Sequence, residues 1–436
     1  MPLLRILGVG FGLAVVVGGS IGAGILRTPG PVMAHVGSPA IALLVWLVAG
    51  LFTMAAAACL AELAATVPKS GGFYVFARRA LGDGFGFVAG SADWFANSAA
   101  VAYVAVSAAE YIGILAPALA SHQALVASIS IVLVASLQFA GMRVSSRLQE
   151  VTSLIKAVGF TALVAALFTA DPVPGPALPE SGPTLISLVS LALALQLTIT
   201  AYDGWQSGGY FAGEDTEPGR NMPRAMVGGV AIVMLVYVLL NMAVQHVLSA
   251  GSIAGSTLPI AEAASQVFGS RGATAITLIA IWSPLSLMSS TLLCLPRILY
   301  AMGSDGLLPA ALGRADRLGT PVAGLLCSTA AGLAFVHVGG FESVATVFSV
   351  FAMTGYLSAF VSLLVLRRRE PGLARPFRVW GAPWTVLVVI AGYLAVFTGV
   401  VAGAPRDAAI GIGVLVAGYA VYRMYAAAGL QTRRPD

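Results

Sequence analysis

The sequence predicts an all-α membrane protein of twelve transmembrane helices: two five-helix repeats of opposite orientation, with helices one and six broken, plus two C-terminal helices. Three observations point there. The 436-residue chain is 58% hydrophobic and only 9% charged, more apolar surface than a soluble fold of this length can hide. Its Arg and Lys residues gather in every second loop between apolar segments. Two of those segments are interrupted at mid-length, at Val17-Gly18-Gly19-Ser20-Ile21-Gly22-Ala23-Gly24-Ile25 and Thr200-Ala201-Tyr202-Asp203-Gly204-Trp205-Gln206. A helix that breaks at membrane depth exposes backbone groups, which is tolerated only where they line a cavity or meet a ligand.

Span one (6–35) carries the first break and is too long for a cleavable signal. Span two (39–67) leads into a loop with Lys69, Arg78 and Arg79, and span three (84–115) leaves through Ala116–His122. Spans four (122–141) and five (147–170) are joined across Arg143 and Arg147. Span six (184–213) carries the second break and continues to Glu214, Asp215, Glu217, Arg220 and Arg224. Span seven is 224–249, and 251–270 reads as a short external helix or loop. Span eight (273–302) is followed by Arg314 and Arg317, nine is 320–338, and ten (342–366) is followed by Arg367, Arg368, Arg369, Arg375 and Arg378. Spans eleven and twelve are 382–402 and 407–426.

The opposite loops hold only Arg271 and Arg406, while Arg5, Arg433 and Arg434 put both termini on the basic side. The positive-inside rule makes that side cytoplasmic, so a multi-pass protein of the cytoplasmic membrane with both ends inside is expected. The net charge of +5 is topological rather than a nucleic-acid signal. Cys59, Cys294 and Cys327 lie in apolar segments, so no disulfide framework is expected. Because each repeat holds an odd number of spans, the second must run upside down relative to the first. The units are 1–170, 184–366 and the additional 382–426.

Four motifs carry a resemblance. They are Gly22-Ala23-Gly24-Ile25-Leu26-Arg27-Thr28-Pro29-Gly30; Glu62-Leu63 with Pro68-Lys69-Ser70-Gly71-Gly72-Phe73-Tyr74; Tyr202-Asp203-Gly204-Trp205 with Gly213-Glu214 and Pro218-Gly219-Arg220-Asn221-Met222-Pro223-Arg224-Ala225; and Arg297, Tyr300-Ala301-Met302, Asp305-Gly306 and Pro309. In these the chain resembles the amino acid–polyamine–organocation superfamily, which has the leucine-transporter-like fold, and within it the bacterial L-type amino acid transporters. The resemblance implies a secondary active transporter of amino acids, neutral and in some members cationic, working by alternating access. In sodium-independent members a lysine at the position of Lys156 replaces the sodium ion that ties helix one to helix eight. Sodium independence follows as an expectation, with exchange and proton coupling both open. Animal relatives carry a cysteine in the external loop after span three that links a glycoprotein subunit. The loop here has none, so no disulfide-linked subunit is expected.

The chemistry of the breaks fits that substrate class. Free N–H groups near Gly22, Ala23 and Gly24 carry the positive end of a helix dipole and suit a carboxylate. Free carbonyls near Gly18 to Ile21 and Thr200 to Asp203 suit an ammonium. Ser20, Ile21, Gly22, Ala23, Gly24, Thr200, Ala201, Tyr202, Asp203 and Trp205 are therefore the candidate substrate site. Close helix packing is the competing account of the glycines. Relatives often place a serine where Ala23 stands, which leaves the backbone or Ser20 to hold the carboxylate. Lys156 lies about 13 Å into span five at 1.5 Å per residue, where a charge is a functional hypothesis by default; snorkelling is the alternative. Its expected partners are carbonyls near Gly18 and Gly19 and hydroxyls among Ser286, Ser289 and Ser290. Asp203 either receives a cationic side chain or braces the unwound backbone.

Glu62, Tyr103 and Glu214 are candidate gating residues; the cluster Glu214, Asp215, Glu217, Arg220 and Arg224 reads either as a gating salt-bridge network or as a solvated loop. Arg27 either snorkels or pairs with an acid such as Glu110. No metal or cofactor is expected, and the enzyme signatures His-Glu-x-x-His, paired intramembrane aspartates and serine–histidine are absent from the sequence. Gly8-x-Gly10-x-Gly12 follows no strand and is no nucleotide site. A polyamine or organic-cation carrier is the nearest alternative; lacking a carboxylate, its substrate would leave the helix-one amides unpaired.

Overall fold

The computed structural model describes residues 3–176, 187–338 and 341–427. α1 (Val9–Ser20) stops where Ile21 and Gly22 turn extended, and α2 (Ala23–Arg27) resumes beyond them. α3 (Pro29–Val36) opens on a proline at its first turn, where no N–H is required, and ends at left-handed Gly37. The first predicted span is thus three helical pieces. α4 (Pro39–Thr66) follows, then α5 (Phe73–Leu81), α6 (Asp83–Leu115), α7 (Gln123–Gln138) and α8 (Met142–Phe168). α9 (Leu188–Ala201) unwinds into a turn through Gly204 (φ 108°) and a 3-10 segment, Trp205–Phe211.

α10 (Pro218–Val247), the six-residue α11 (Ala250–Gly255) and the long α12 (Pro259–Ser304), kinked at Gly269, come next. The stretch read as an external helix or loop is therefore helical through most of its length. α13 (Val322–Val338), α14 (Phe341–Arg369), α15 (Trp384–Gly403) and α16 (Pro405–Ala427) complete the chain. Among the described residues ten helical segments are long and apolar enough to cross a membrane, by length and composition. The 17-residue α13 and the 14 residues of α9 fall where two further spans were expected.

The helices pack in reciprocal pairs. α4 lies on α10 and α6 on α12; α1 contacts α10 as α9 contacts α4; α8 contacts α12 as α14 contacts α6. Close approach comes from small residues: a Cβ on Gly12 would fall 2.6 Å from Ala225, and one on Gly229 2.6 Å from Val16. In lipid, where tails are as apolar as Leu, such van der Waals packing and buried polar bonds carry helix association.

Two apolar cores divide at the helix breaks. One holds Phe11, Val15 and Val16, the Ala56–Ala64 stretch of α4, Met222 to Val230 of α10, and Trp205. The other holds Val17 and Ile21, Trp46 and Ala49 of α4, Val233 to Val247 of α10, and Tyr202. Between them runs a layer of backbone and polar groups, and the site lies there. At one end of the bundle, ion pairs join α5 to the C-terminal ends of α12 and α14, Arg78–Asp305 at 2.7 Å and Arg79–Glu370 at 2.6 Å, and α14 to α4, Arg367–Glu62 at 2.5 Å. The segments that follow α4, α12 and α14, all expected on the basic face, therefore meet at one end.

Candidate functional site

Lys156 is fully buried on α8 and reaches the break in helix one. Its Nζ donates to Gly18 O at 2.8 Å and Ile21 O at 2.6 Å, and lies 3.4 Å from Ser283 O of α12. The Ser283 hydroxyl donates to Ile21 O as well, at 2.8 Å. One ammonium thus joins α8, the end of α1 and α12. The snorkelling alternative does not describe this geometry, since the side chain is only 2% exposed. The serine expectation shifts by one turn of α12. Ser286 bonds Thr152, Ser289 accepts from Gln138 and Ser290 donates to Val15 O, while Ser283 serves the lysine.

The two breaks touch. A Cβ on Gly204 would stand 2.2 Å from Gly19 O, and its φ of 108° is itself a glycine conformation. A Cβ on Gly24 would stand 3.1 Å from Ala201 Cα. Tyr237 of α10, which sequence reasoning missed, donates to Ser20 O at 2.7 Å and lies 3.2 Å from Ala201 O. Its phenol therefore reads the carbonyl ends of both broken helices. Ser20, Ile21, Gly22, Tyr202 and Trp205 are all buried here, and the Ser20 hydroxyl has no hydrogen-bond partner. The Tyr202 hydroxyl instead donates to Trp46 O.

Asp203 accepts a short hydrogen bond from Tyr356 of α14, and Trp205 is held between the Tyr356 and Phe360 rings. Bracing of the unwound segment is thus visible. Thr200 stands apart: its side chain is exposed and its hydroxyl bonds back to Gln196 O of the same helix. Below the turn, Tyr210 donates to Asp93 Oδ1 of α6 at 2.6 Å, and Asn97 donates to the same oxygen at 2.8 Å.

Ion pairs flank the layer on both sides. Toward the α2 end, Arg27 donates to Glu110 at 2.5 Å and to the Tyr111 hydroxyl at 3.2 Å; Tyr103 stands two turns earlier on the same helix face. Toward the basic end, Glu62 is fully buried against Arg367 and also accepts the Val379 N–H at 2.7 Å. Glu214 is not networked with Arg220 or Arg224. It forms a buried bidentate pair with Arg297 of α12, at 2.6 and 2.9 Å, while Arg220 makes only an exposed contact with Glu217. Arg297 is the eighth-span motif arginine, so its burial was signalled by position even though its partner was not. Leu7 pairs its backbone with the same loop, N–H to Glu214 O and C=O from Thr216 N–H, each at 3.0 Å.

Among the described residues no group of His, Cys, Asp and Glu could hold a metal. What the layer offers is main-chain carbonyls at two helix ends, held by one fixed cation, one serine hydroxyl and one phenol.

The chain is 27% identical to the serine/threonine exchanger SteT of Bacillus subtilis (strain 168), over 96% of each chain. It is 26% identical to b(0,+)-type amino acid transporter 1 of Mus musculus, over 84% of this chain and 77% of that one. To the Asc-type amino acid transporter 1 of Mus musculus it is 27% identical, over 94% and 78%. A family model described as amino acid permease matches residues 12–423, and the chain therefore belongs to the amino acid permease family.

Proposed function

We propose that this protein is a secondary active transporter of amino acids that works without sodium. The observation that carries the reading is the Lys156 ammonium seated on Gly18 O and Ile21 O, with Ser283 bridging to α12. A fixed cation there supplies the charge that would otherwise be a bound ion's, and holds α1, α8 and α12 in register. The substrate's carboxylate meets the amides of Gly22, Ala23 and Gly24, where a helix N-terminus favours an anion. The unpartnered Ser20 hydroxyl supports that contact. The substrate's ammonium meets the carbonyls of Ser20 and Ala201 in exchange for Tyr237, which now bonds them.

The burial of the layer and the backbone contact between Gly19 and Gly204 support alternating access with the site closed. The reciprocal packing of α4 with α10 and α6 with α12 supports a five-plus-five inverted repeat within twelve spans. The basic end is the cytoplasmic one by charge, which makes the Glu62–Arg367 and Glu214–Arg297 pairs the inner gate and Arg27–Glu110 the outer. The names of the similar proteins support amino acids as substrates.

Thermal stability of the purified protein in detergent tests the reading. Ligand at about 100 times its dissociation constant adds roughly 2.7 kcal/mol to the native state. Amino acids are expected to raise the melting temperature equally in sodium and choline buffers, and their decarboxylated amines to leave it unchanged. Stabilisation by the amines alone would establish an organic-cation carrier; a shift seen only in sodium would contradict the role given to Lys156.

A second expectation concerns Asp203. Because its carboxylate is engaged by Tyr356, Asp203→Asn is expected to lower stability while leaving the ranking of cationic over neutral competitors unaltered. Selective loss of lysine and arginine competition would instead make Asp203 the side-chain receptor.

A further inference from the structure

Asp93 sits ten residues into α6 and is 2% exposed. One carboxylate oxygen, Oδ1, accepts from Tyr210 at 2.6 Å and from Asn97 at 2.8 Å. The other, Oδ2, is buried with no hydrogen-bond partner. A carboxylate oxygen left unsatisfied in this way is costly, and a charge at such depth marks a functional site by default.

The Phe73 amide at the N-terminus of α5 faces the carboxylate, and a helix N-terminus favours negative charge. Asp203 at the helix break and Cys294 of α12 are the other titratable neighbours. Tyr356 of α14 stands behind the Phe73 ring, 5.3 Å between centroids, and bonds Asp203. Among the described residues, α7, α13 and α16 make no hydrogen bond to Asp93. Oδ2 is the unpartnered acceptor of this carboxylate, and a proton is the smallest cation it can take.

Resting on the transport reading above, we infer that Asp93 is the proton-coupling carboxyl of this transporter, loading Oδ2 from the outer side and releasing to water on the cytoplasmic side. The proton adds to Oδ2, converting carboxylate to carboxyl, and leaves the same atom later; nothing else is exchanged. The coupling element is Tyr210. It lies on the 3-10 segment that continues the broken helix, its ring packs on Gly72, and its carbonyl accepts from the Gly71 N–H at 3.3 Å. A carboxylate holds the phenol by a charge-assisted bond, about twice as strong as the neutral bond a carboxyl offers. Protonation therefore loosens the unwound segment from α6, and deprotonation fixes it again.

Proteoliposomes with a pH-reporting dye inside test this, using whichever of the twenty proteinogenic amino acids gives the largest counterflow. Wild type is expected to show counterflow and, on external substrate alone, lumenal acidification. Asp93→Asn keeps an oxygen for Tyr210 but does not titrate. It is expected to retain counterflow, which needs no net proton movement, while acidification is lost and uptake becomes flat between about pH 5 and 8. Acidification that persists in Asp93→Asn overturns the inference, as does wild-type counterflow without acidification, which leaves the transport reading standing. Absence of counterflow with every amino acid overturns both. Should Asp93→Asn fail to fold, Tyr210→Phe removes the donor but leaves the carboxyl. The midpoint of proton-driven uptake is then expected to move up by about one pH unit, and an unmoved midpoint overturns the assignment.

Discussion

Lys156→Met is expected to reduce amino acid counterflow at least about 100-fold while shifting the melting temperature by only a few degrees. The two effects separate because different things are lost. A hydrogen bond to a charged group contributes roughly 1.5–3 kcal/mol, and each 1.4 kcal/mol is a factor of ten. Losing the Nζ bonds to Gly18 O and Ile21 O therefore weakens the tie between α1 and α8 by at least two orders of magnitude. For folding, that loss is offset by removal of an ammonium buried without a carboxylate to pair with it. Ile21 O also retains the Ser283 hydroxyl. Counterflow and thermal unfolding of the same preparation check the claim. A variant that transports normally would sink the assignment; one that merely unfolds would make Lys156 a folding residue.

The second large effect concerns the Glu214–Arg297 pair. Both side chains are essentially inaccessible, 0% and 2% exposed, and Arg297 also lies over the Phe211 ring, 4.5 Å from its centroid. Removing one member of a buried pair leaves an uncompensated charge, which costs about 3–5 kcal/mol. Glu214→Gln and Arg297→Met are each expected to destabilise the detergent-solubilised protein by that amount. The double variant Glu214→Gln/Arg297→Met, which buries no charge, is expected to regain more than half. Strict additivity of the two singles would mean that the pair contributes nothing as a pair. Because Glu214 follows the unwound helix and Arg297 belongs to α12, the singles are also expected to raise exposure of the 205–214 segment in hydrogen exchange.

How much of this could be read from sequence varies with the kind of feature. The two breaks were legible because glycine runs inside apolar stretches are local signals, and Lys156 because one of only two lysines sits inside a span. Of the two options for Arg27, pairing with an acid such as Glu110 is the one observed. Partners supplied by rotation of a distant helix were not legible. Tyr237, Ser283 and Tyr356 each lie on helices with nearly uniform apolar composition, where no polar stripe announces which face turns inward. For the same reason Glu214 was matched to its sequence neighbours Arg220 and Arg224 rather than to Arg297. Asp93 is a different lesson: an acid ten residues into a span carries its own signal, hidden among Ser91, Asn97 and Ser98 at the polar start of that span. Thr200 shows the converse, since a residue adjacent to the break can still face outward through helical rotation alone.

The Gly19–Gly204 contact bears on how the protein can change over evolutionary time. At Gly204 any side chain meets both a forbidden dihedral and the main chain of the opposite helix. At Gly19 an added Cβ meets the movable hydroxyl of Ser207 at 3.0 Å and the main-chain oxygen of Gly204 at 3.2 Å, with no dihedral barrier of its own. The two members are thus unequally constrained: one is frozen against every single substitution, the other accepts a small replacement only if both Ser207 and the Gly204 carbonyl give way by a few tenths of an ångström. New selectivities in descendants of this sequence must arise around that fixed point, from residues such as Ser20, Tyr237 and Tyr356, with Gly204 inherited unaltered.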